Sequence, residues 1–419
     1  MTVDVTRLKN GLTIATDRIN GVESAALGVW VGTGARAETA STNGVAHLLE
    51  HMAFKGTSRR SAADIAAEIE DVGGHLNAYT SKEITAYYAR VLKEDISLAL
   101  DILADILKNS VFDSVELDRE REVILQEIGQ AADTPEDVAH DAFQAAAYPG
   151  QPVGRPILGA PEIIRTIPRA AIVDYMSSRY KPGSMVLSAA GAVDHGQLVA
   201  LAENLFGDMA PGQAPETEPA VYQGGEERII KPSEQAHVFF GLPGPHFGAA
   251  DYYAGHVLSA LYGGGMSSRL FQEIREKRGL CYSIYSFMSS MSDTGMFGIY
   301  AGTDRTQAGQ ALRVAIDELK SVANGPTEAE TDRAKAQLRA SILMSRESTS
   351  TRAEQLAQQL IVHGRPVTPE EVRAKVDDVD RTAIASIAAK ALSGPATLSL
   401  VGPVENVPNV EALKDQIAA

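Results

Sequence analysis

Apolar positions change their period along this chain, and the changes mark out its elements. Leu8, Leu12 and Ile14 flank Lys9-Asn10-Gly11, and the Asn-Gly pair suits the turn of a hairpin over 6–17. Ala26, Leu27, Val29, Trp30 and Val31 then predict a strand over 24–32. A helical period follows at 43–56, with Val45, Leu48, Leu49 and Met52 on one side, Asn43 placed to cap the start and Gly56 to end the helix in a left-handed turn. Another helix is predicted near 62–72. Gly73, Gly74 and Asn77 mark a turn, and Tyr87, Tyr88 and Val91 mark the strand after it. Ile96, Leu100, Leu103 and Leu107 recur at helical steps within 93–109. One long helix over 113–147 comes next, with Asp113 as its N-cap and Glu116 in the capping-box position.

Alternation of helix and strand continues through a helix at 169–179, a strand at 185–192 and a helix at 197–206. Periodicity then stops. The stretch 209–225 is rich in Pro, Gly, Ala and Glu and reads as a linker, so the chain divides into a first domain, 1–210, and a second, 227–419. Strands near 228–231 and 236–241 open the second domain, and the segment 256–265, HVLSALYGGG, overlays 47–56, HLLEHMAFKG, without a gap. That is a short internal repeat in which Ser259 stands where Glu50 does and Ala260 where His51 does. The remainder reads as scaffold: helices over 306–324, 327–346, 351–361, 369–375 and 382–391, then a strand at 396–401.

Bulk properties narrow the class. At 419 residues the chain suits two domains of about 200 residues each. A net charge of −16 argues against nucleic acid or an anionic membrane as partner; it suits basic peptides, and equally simple acidic solubility. No apolar run reaches the length of a membrane span, and the first residues read as neither a signal peptide nor a transit sequence, so a cytoplasmic location is the expectation. The single cysteine, Cys281, allows no internal disulfide and reads as a small buried hydrophobe.

Candidate chemistry lies in the helix at 43–56. Residues three and four apart on a helix are neighbours, so His47, Glu50 and His51 share a face, and the two imidazoles can reach one ion with a carboxylate beside it. Two neutral imidazoles suit Zn²⁺, and a carboxylate that does not bind the metal can take a proton from water whose pKa the ion lowers. A catalytic site would still lack one protein ligand. The acidic helix at 113–147 offers Glu120 and Glu127, seven apart on one face, though the residues alone do not separate these from Glu116 and Glu122, or from a solvated acidic face.

With its H-x-x-E-H motif at His47–His51, this sequence resembles the pitrilysin-like metallopeptidases, the inverted zincins that include the mitochondrial processing peptidase and its bacterial relatives. The resemblance covers nearly the whole chain. It implies that the third zinc ligand is Glu127, 76 residues after His51, and that Glu120 is a second acidic position near the metal. It implies an α+β fold of two tandem related domains, each a mainly antiparallel sheet covered by helices, facing each other across a cleft. Asn77, Ala78 and Tyr79 would then meet the substrate main chain at an edge strand, although as residues they could simply build a loop. Asp137 and Asp141 would hold a basic residue near the cut, against the alternative of a solvated face. Arg275 and Tyr282, at a helix–strand junction in the second domain, would assist catalysis. QPVGRPILG, 151–159, is also typical of that family.

The expectation is therefore a zinc endopeptidase with one Zn²⁺ per chain, in which Glu50 activates water and Glu120 supports the site. Peptides would be its substrates, and a homodimer, or a heterodimer with a related chain, its assembly. Two other classes fit the same fold: a structural assembly subunit, and a metal-binding module without hydrolysis.

Overall fold

In the computed structural model, which describes residues 3–419, the Asn10-Gly11 turn joins β1 (Val3–Arg7) to β2 (Thr13–Arg18) as an antiparallel hairpin. Gly11 takes a left-handed φ of 102°, and Asn10 ties the turn inward by donating from Nδ2 to the Phe206 carbonyl at 2.8 Å. Strand β3 (Ser24–Val31) follows, then β4 (His75–Thr80), β5 (Thr85–Leu92) and β6 (Met185–Gly191). These six form one sheet in the order β1-β2-β6-β3-β5-β4, antiparallel except for the β2–β6 pair. A second sheet contains β7 (Gly225–Ile230), β8 (Gln235–Pro243), β9 (Cys281–Ser290), β10 (Gly295–Asp304) and β11 (Thr397–Gly402), in the order β7-β11-β8-β10-β9. Only β7–β11 is parallel. With β1 set aside, the two sheets share one strand order and one parallel pair, which is what a duplicated α+β unit requires.

Two compact units result. The first runs to Ile128 and adds Arg155–Glu218 and Met344–Val367; the second consists of Gly129–Gly154, Pro219–Leu343 and Thr368–Ala419. In the first unit, α1 (Val45–Ala53), α2 (Ala62–Glu70), α3 (Ile96–Lys108) and α4 (Ser114–Asp133) pack on one face of the sheet. Its opposite face, with Ala26, Trp30, Ala86 and Val186, lies under Ala353, Leu356, Ala357 and Leu360 of the helix Thr349–His363. Burial on both faces explains why 26–31 is apolar throughout instead of alternating. In the second unit, α5 (Pro135–Ala147) covers one sheet face through Ala139, Phe143 and Ala147. Phe143 comes so close to β8 that a Cβ at Gly241 would lie 2.2 Å from its ring. Each sheet is thus closed by a helix from the other half of the sequence.

Ion pairs fasten the helix Thr349–His363 to its sheet. Asp17, 2% exposed, accepts from Arg352 Nε at 2.7 Å and Arg346 Nη2 at 3.1 Å, and Ser188 Oγ donates to the Ala353 carbonyl at 2.7 Å.

Several expectations need correction. The helix predicted over 113–147 is two helices, because Pro135 has no N–H to continue the ladder and keeps Thr134 extended; as first residue of α5 that missing donor costs nothing. Asn77 lies in mid-strand in β4, opposite Tyr88, and the turn is made before it by Asp71, Val72 and Gly73, the last with a φ of 68°. The helix leading to Arg275 contains a π-turn, Phe271–Glu276. A C-terminal helix, Val410–Ala418, was outside the predicted elements; Asn409 caps it, accepting from Ala412 N at 2.9 Å. Of the linker expected at 209–225, no helix or strand occurs up to 224, and β7 begins at its last residue, Gly225. Among the described residues no helix is long and apolar enough to cross a membrane.

Candidate metal centre

The helix bearing the histidines starts from a different cap than the sequence suggests. Gly44, not Asn43, is the residue before α1, at a φ of 96° where a Cβ would fall 2.5 Å from Ile164 Cδ1. A remote carboxylate replaces the side-chain cap: Glu38 accepts from Gly44 N and Ala46 N, both at 2.8 Å, and from Asn43 Nδ2 at 2.9 Å. Burial pushes the Glu38 carboxyl up to about 7, against those three hydrogen bonds. Arg155, from the segment 151–159, donates to the Glu38 carbonyl at 2.9 Å and so fixes the loop that carries this cap.

With α1 placed, Val45, Leu48, Leu49 and Met52 enter the core and His47, Glu50 and His51 stay only partly buried. Helix α4 then delivers Glu127. His47 Nε2 lies 3.8 Å and His51 Nε2 3.7 Å from Glu127 Oε2, and one donor atom from each of the three falls within 4.8 Å of the others. Zinc bonds of about 2.1 Å in a tetrahedron put donors roughly 3.4 Å apart, so this set is close to closing on an ion. Glu127 Oε2 is buried and meets no hydrogen-bond partner among the described residues, which costs free energy unless a cation is there to receive it. Burial, and then the neighbouring His51, push the His47 imidazole down to about 4, leaving it neutral and able to ligate. Donor chemistry, spacing and the orphaned oxygen together fit Zn²⁺.

Glu120 is 4% exposed and sits behind His51, its Oε2 2.9 Å from Nδ1. A carboxylate can only accept there, so Nδ1 carries the proton and Nε2 keeps its lone pair for the site. Lys55 Nζ lies 2.7 Å from the other Glu120 oxygen.

Glu50 points toward the edge strand. Its Oε2 accepts from Thr80 Oγ1 at 2.6 Å, and burial raises its carboxyl above the ordinary range, partly offset by that hydrogen bond. Thr80 was not singled out from the sequence; once β4 is recognised as a strand, period two puts it on the same face as Ala78. Asn77 and Ala78 lie on this edge strand as well, with Ala78 N donating to Asn77 Oδ1 at 2.8 Å. The Tyr79 side chain turns to the other face, where its hydroxyl donates to Glu354 Oε1 at 2.7 Å.

The remaining candidates belong to the second unit. Asp137 and Asp141 are exposed on α5, separated from the Glu127 helix by the break at Pro135. Arg275 lies over the Tyr282 ring at 5.3 Å and the Phe271 ring at 4.7 Å, and Tyr282 is 75% exposed at the start of the edge strand β9. Cys281 is buried in the core and its thiol is pushed up by burial to about 11, as an inert hydrophobe's would be.

Known proteins match this chain along most of its length. Residues 13–161 match the family described as Insulinase (Peptidase family M16), and 166–338 match the Peptidase M16 inactive domain. A Rickettsia felis protein named an uncharacterized zinc protease is 39% identical over 401 residues, spanning 96% of this chain and 97% of its own. The mitochondrial-processing peptidase subunit beta of Lentinula edodes is 38% identical over 407 residues, covering 93% of this chain and 87% of its own. A protease structure from Helicobacter pylori superposes with a TM-score of 0.89 at 22% identity, over 96% of this chain and 99% of that one, which speaks to fold.

Proposed function

The chain belongs to peptidase family M16, the insulinase family, and from that premise we propose that it is a zinc-dependent endopeptidase acting on peptides or short unfolded segments. The observation that carries this reading is the convergence of His47, His51 and Glu127 around an unpaired carboxylate oxygen, with Glu50 on the same helix and free of that set. His47, His51 and Glu127 would hold the ion. Zn²⁺ bound there supplies a Lewis acid and brings a water within reach of deprotonation near neutral pH.

Glu50 is the proton acceptor in this reading. Burial favours its protonated form, so once it has taken a proton it holds it well enough to pass it to the leaving amine. Thr80 keeps the carboxylate aimed, and Glu120 keeps the His51 ring in one tautomer. Strand β4 is an edge, and an extended peptide can pair with its main chain at Asn77, Ala78 and Tyr79, giving affinity with little side-chain discrimination. Arg275 and Tyr282 serve as donors to the peptide and to developing negative charge, while Asp137 and Asp141 favour substrates with a basic residue near the cut. Both the metal set and the Arg/Tyr pair occur in this one chain, which supports a homodimer; a solution mass showing monomer alone would count against it.

The test is a set of peptides of ten to thirty residues incubated with wild-type and Glu50→Gln chains, with and without a chelator, and products read by mass spectrometry. Chelator-sensitive cleavage that Glu50→Gln abolishes while retaining zinc supports the assignment. Near wild-type cleavage by that variant removes Glu50 as the base.

A further inference from the structure

We propose that Lys55 is a positioning residue for the metal centre: it holds Glu120, and through Glu120 it holds the His51 ring with Nε2 turned to the ion. This rests on the reading of His51 as a ligand.

Local folding brings the three together. Lys55 follows His51 by four residues, so it leaves the end of α1 on the side that His51 occupies. Its backbone N donates to the Met52 carbonyl at 3.2 Å, and a cation is favoured near the carbonyl end of a helix. Gly56 then turns the chain at a φ of 112°. There the segment leaving α1 is stitched to the segment entering α4: Val111 N donates to the Gly56 carbonyl at 3.2 Å, Ser58 N to the Asn109 carbonyl at 3.0 Å, and Thr57 bridges Ser110. Helix α4 therefore starts from a fixed point beside Lys55, and Glu120 comes to lie between Lys55 and His51.

Burial decides what the contact is for. A lysine on a protein surface is ordinarily a solvated charge, and Lys55 retains 31% side-chain exposure. Its partner differs: the Glu120 side chain is 6% exposed, with Oε1 2.7 Å from Lys55 Nζ and Oε2 2.9 Å from His51 Nδ1. Without Lys55, this buried carboxylate would keep one partner, His51, for two oxygens. It would then rotate toward solvent or draw in water, and either change loosens its hold on the imidazole. The predicted loss therefore falls on metal affinity, and Lys55 touches neither ion nor substrate.

Zinc affinity of the purified apo chain, measured by competition with a chromophoric chelator, tests this without reference to turnover. Partners behind a metal ligand typically contribute about ten- to a hundredfold to affinity, and Lys55→Met is expected to weaken zinc by about tenfold. Lys55→Gln, a second neutral variant, should do the same, and Lys55→Met combined with Glu120→Gln should bind no more weakly than Glu120→Gln alone. Wild-type affinity in both neutral Lys55 variants overturns the inference while leaving the metal centre standing. Additive losses in the double variant also overturn it, since Lys55 would then act by another route. A wild-type chain that fails to bind zinc overturns the metal-centre reading, and this inference with it.

Discussion

Thr80 Oγ1 donates to Glu50 Oε2 at 2.6 Å, so the helix carrying both imidazoles is joined through its own carboxylate to the edge strand β4. That bond favours the ionised form of Glu50 against the burial that raises its pKa. In Thr80→Val the opposing influence is gone and the pKa rises further. A base must be ionised to work, so the acid limb of kcat/KM should move to higher pH. A charge-assisted hydrogen bond of about 1.5 kcal/mol corresponds to a displacement of about one pH unit. Superimposable pH profiles would mean that Thr80 does not tune Glu50.

Metal removal should cost stability as well as activity, because His47 and His51 on α1 and Glu127 on α4 would lose a shared partner. Zinc at a hundred times its Kd adds about 2.7 kcal/mol to the folded state. A chelator should therefore lower the Tm of the wild type and leave that of His51→Ala unchanged. Equal shifts in the two would place the stabilising ion elsewhere.

Asp17 answers Arg346 and Arg352 with 3% side-chain exposure. Replacing it by Asn leaves two mostly buried guanidinium groups short of a counter-charge, a loss of roughly 3 kcal/mol or more. Urea unfolding should show a reduced midpoint for Asp17→Asn. An unchanged midpoint would mean that apolar packing alone holds the helix Thr349–His363.

Glu330, in the second unit, provides a pH signature of its own. Burial raises its pKa, but hydrogen bonds from Arg269 and Thr327 outweigh it and bring the carboxyl down to about 2. A carboxylate depressed on folding stabilises above its unfolded value of about 4.5 and loses that contribution as pH falls toward 2. Wild-type stability should thus fall more steeply between those values than that of Glu330→Gln. Parallel curves would show that the ion pair is worth nothing in solution.

How much of this was legible beforehand depended on how local each signal was. His47, Glu50 and His51 could be grouped from helical spacing alone, because one short helix sets their geometry. Glu127 and Glu120 are brought to that helix by the junction of Gly56 with Val111 and of Thr57 with Ser110, contacts between segments more than fifty residues apart, and so required resemblance to be picked out. The α4–α5 break is written in Thr134-Pro135, but the acidic run continues through it and masks the signal. Asn77 reads as a turn residue because asparagine favours turns, yet an exposed edge strand tolerates it. Glu38, the cap of α1, had no readable signal: its donors, Gly44 and Ala46, reach it by a loop closure rather than by a fixed spacing.

The closing of each sheet by a helix from the other half of the sequence constrains the history of this chain. If the two halves descend from one duplicated ancestor, neither present-day half is a portable copy of it. A gene fragment ending at the 207–224 connector would encode a first sheet with Trp30, Ala86 and Val186 uncovered and an amphipathic α5 with no sheet to lie on. Once that exchange was in place, losing or recombining one half meant losing both, so the second half, with Ser259 and Ala260 where Glu50 and His51 stand in the first, would have been retained whether or not it ever bound a metal.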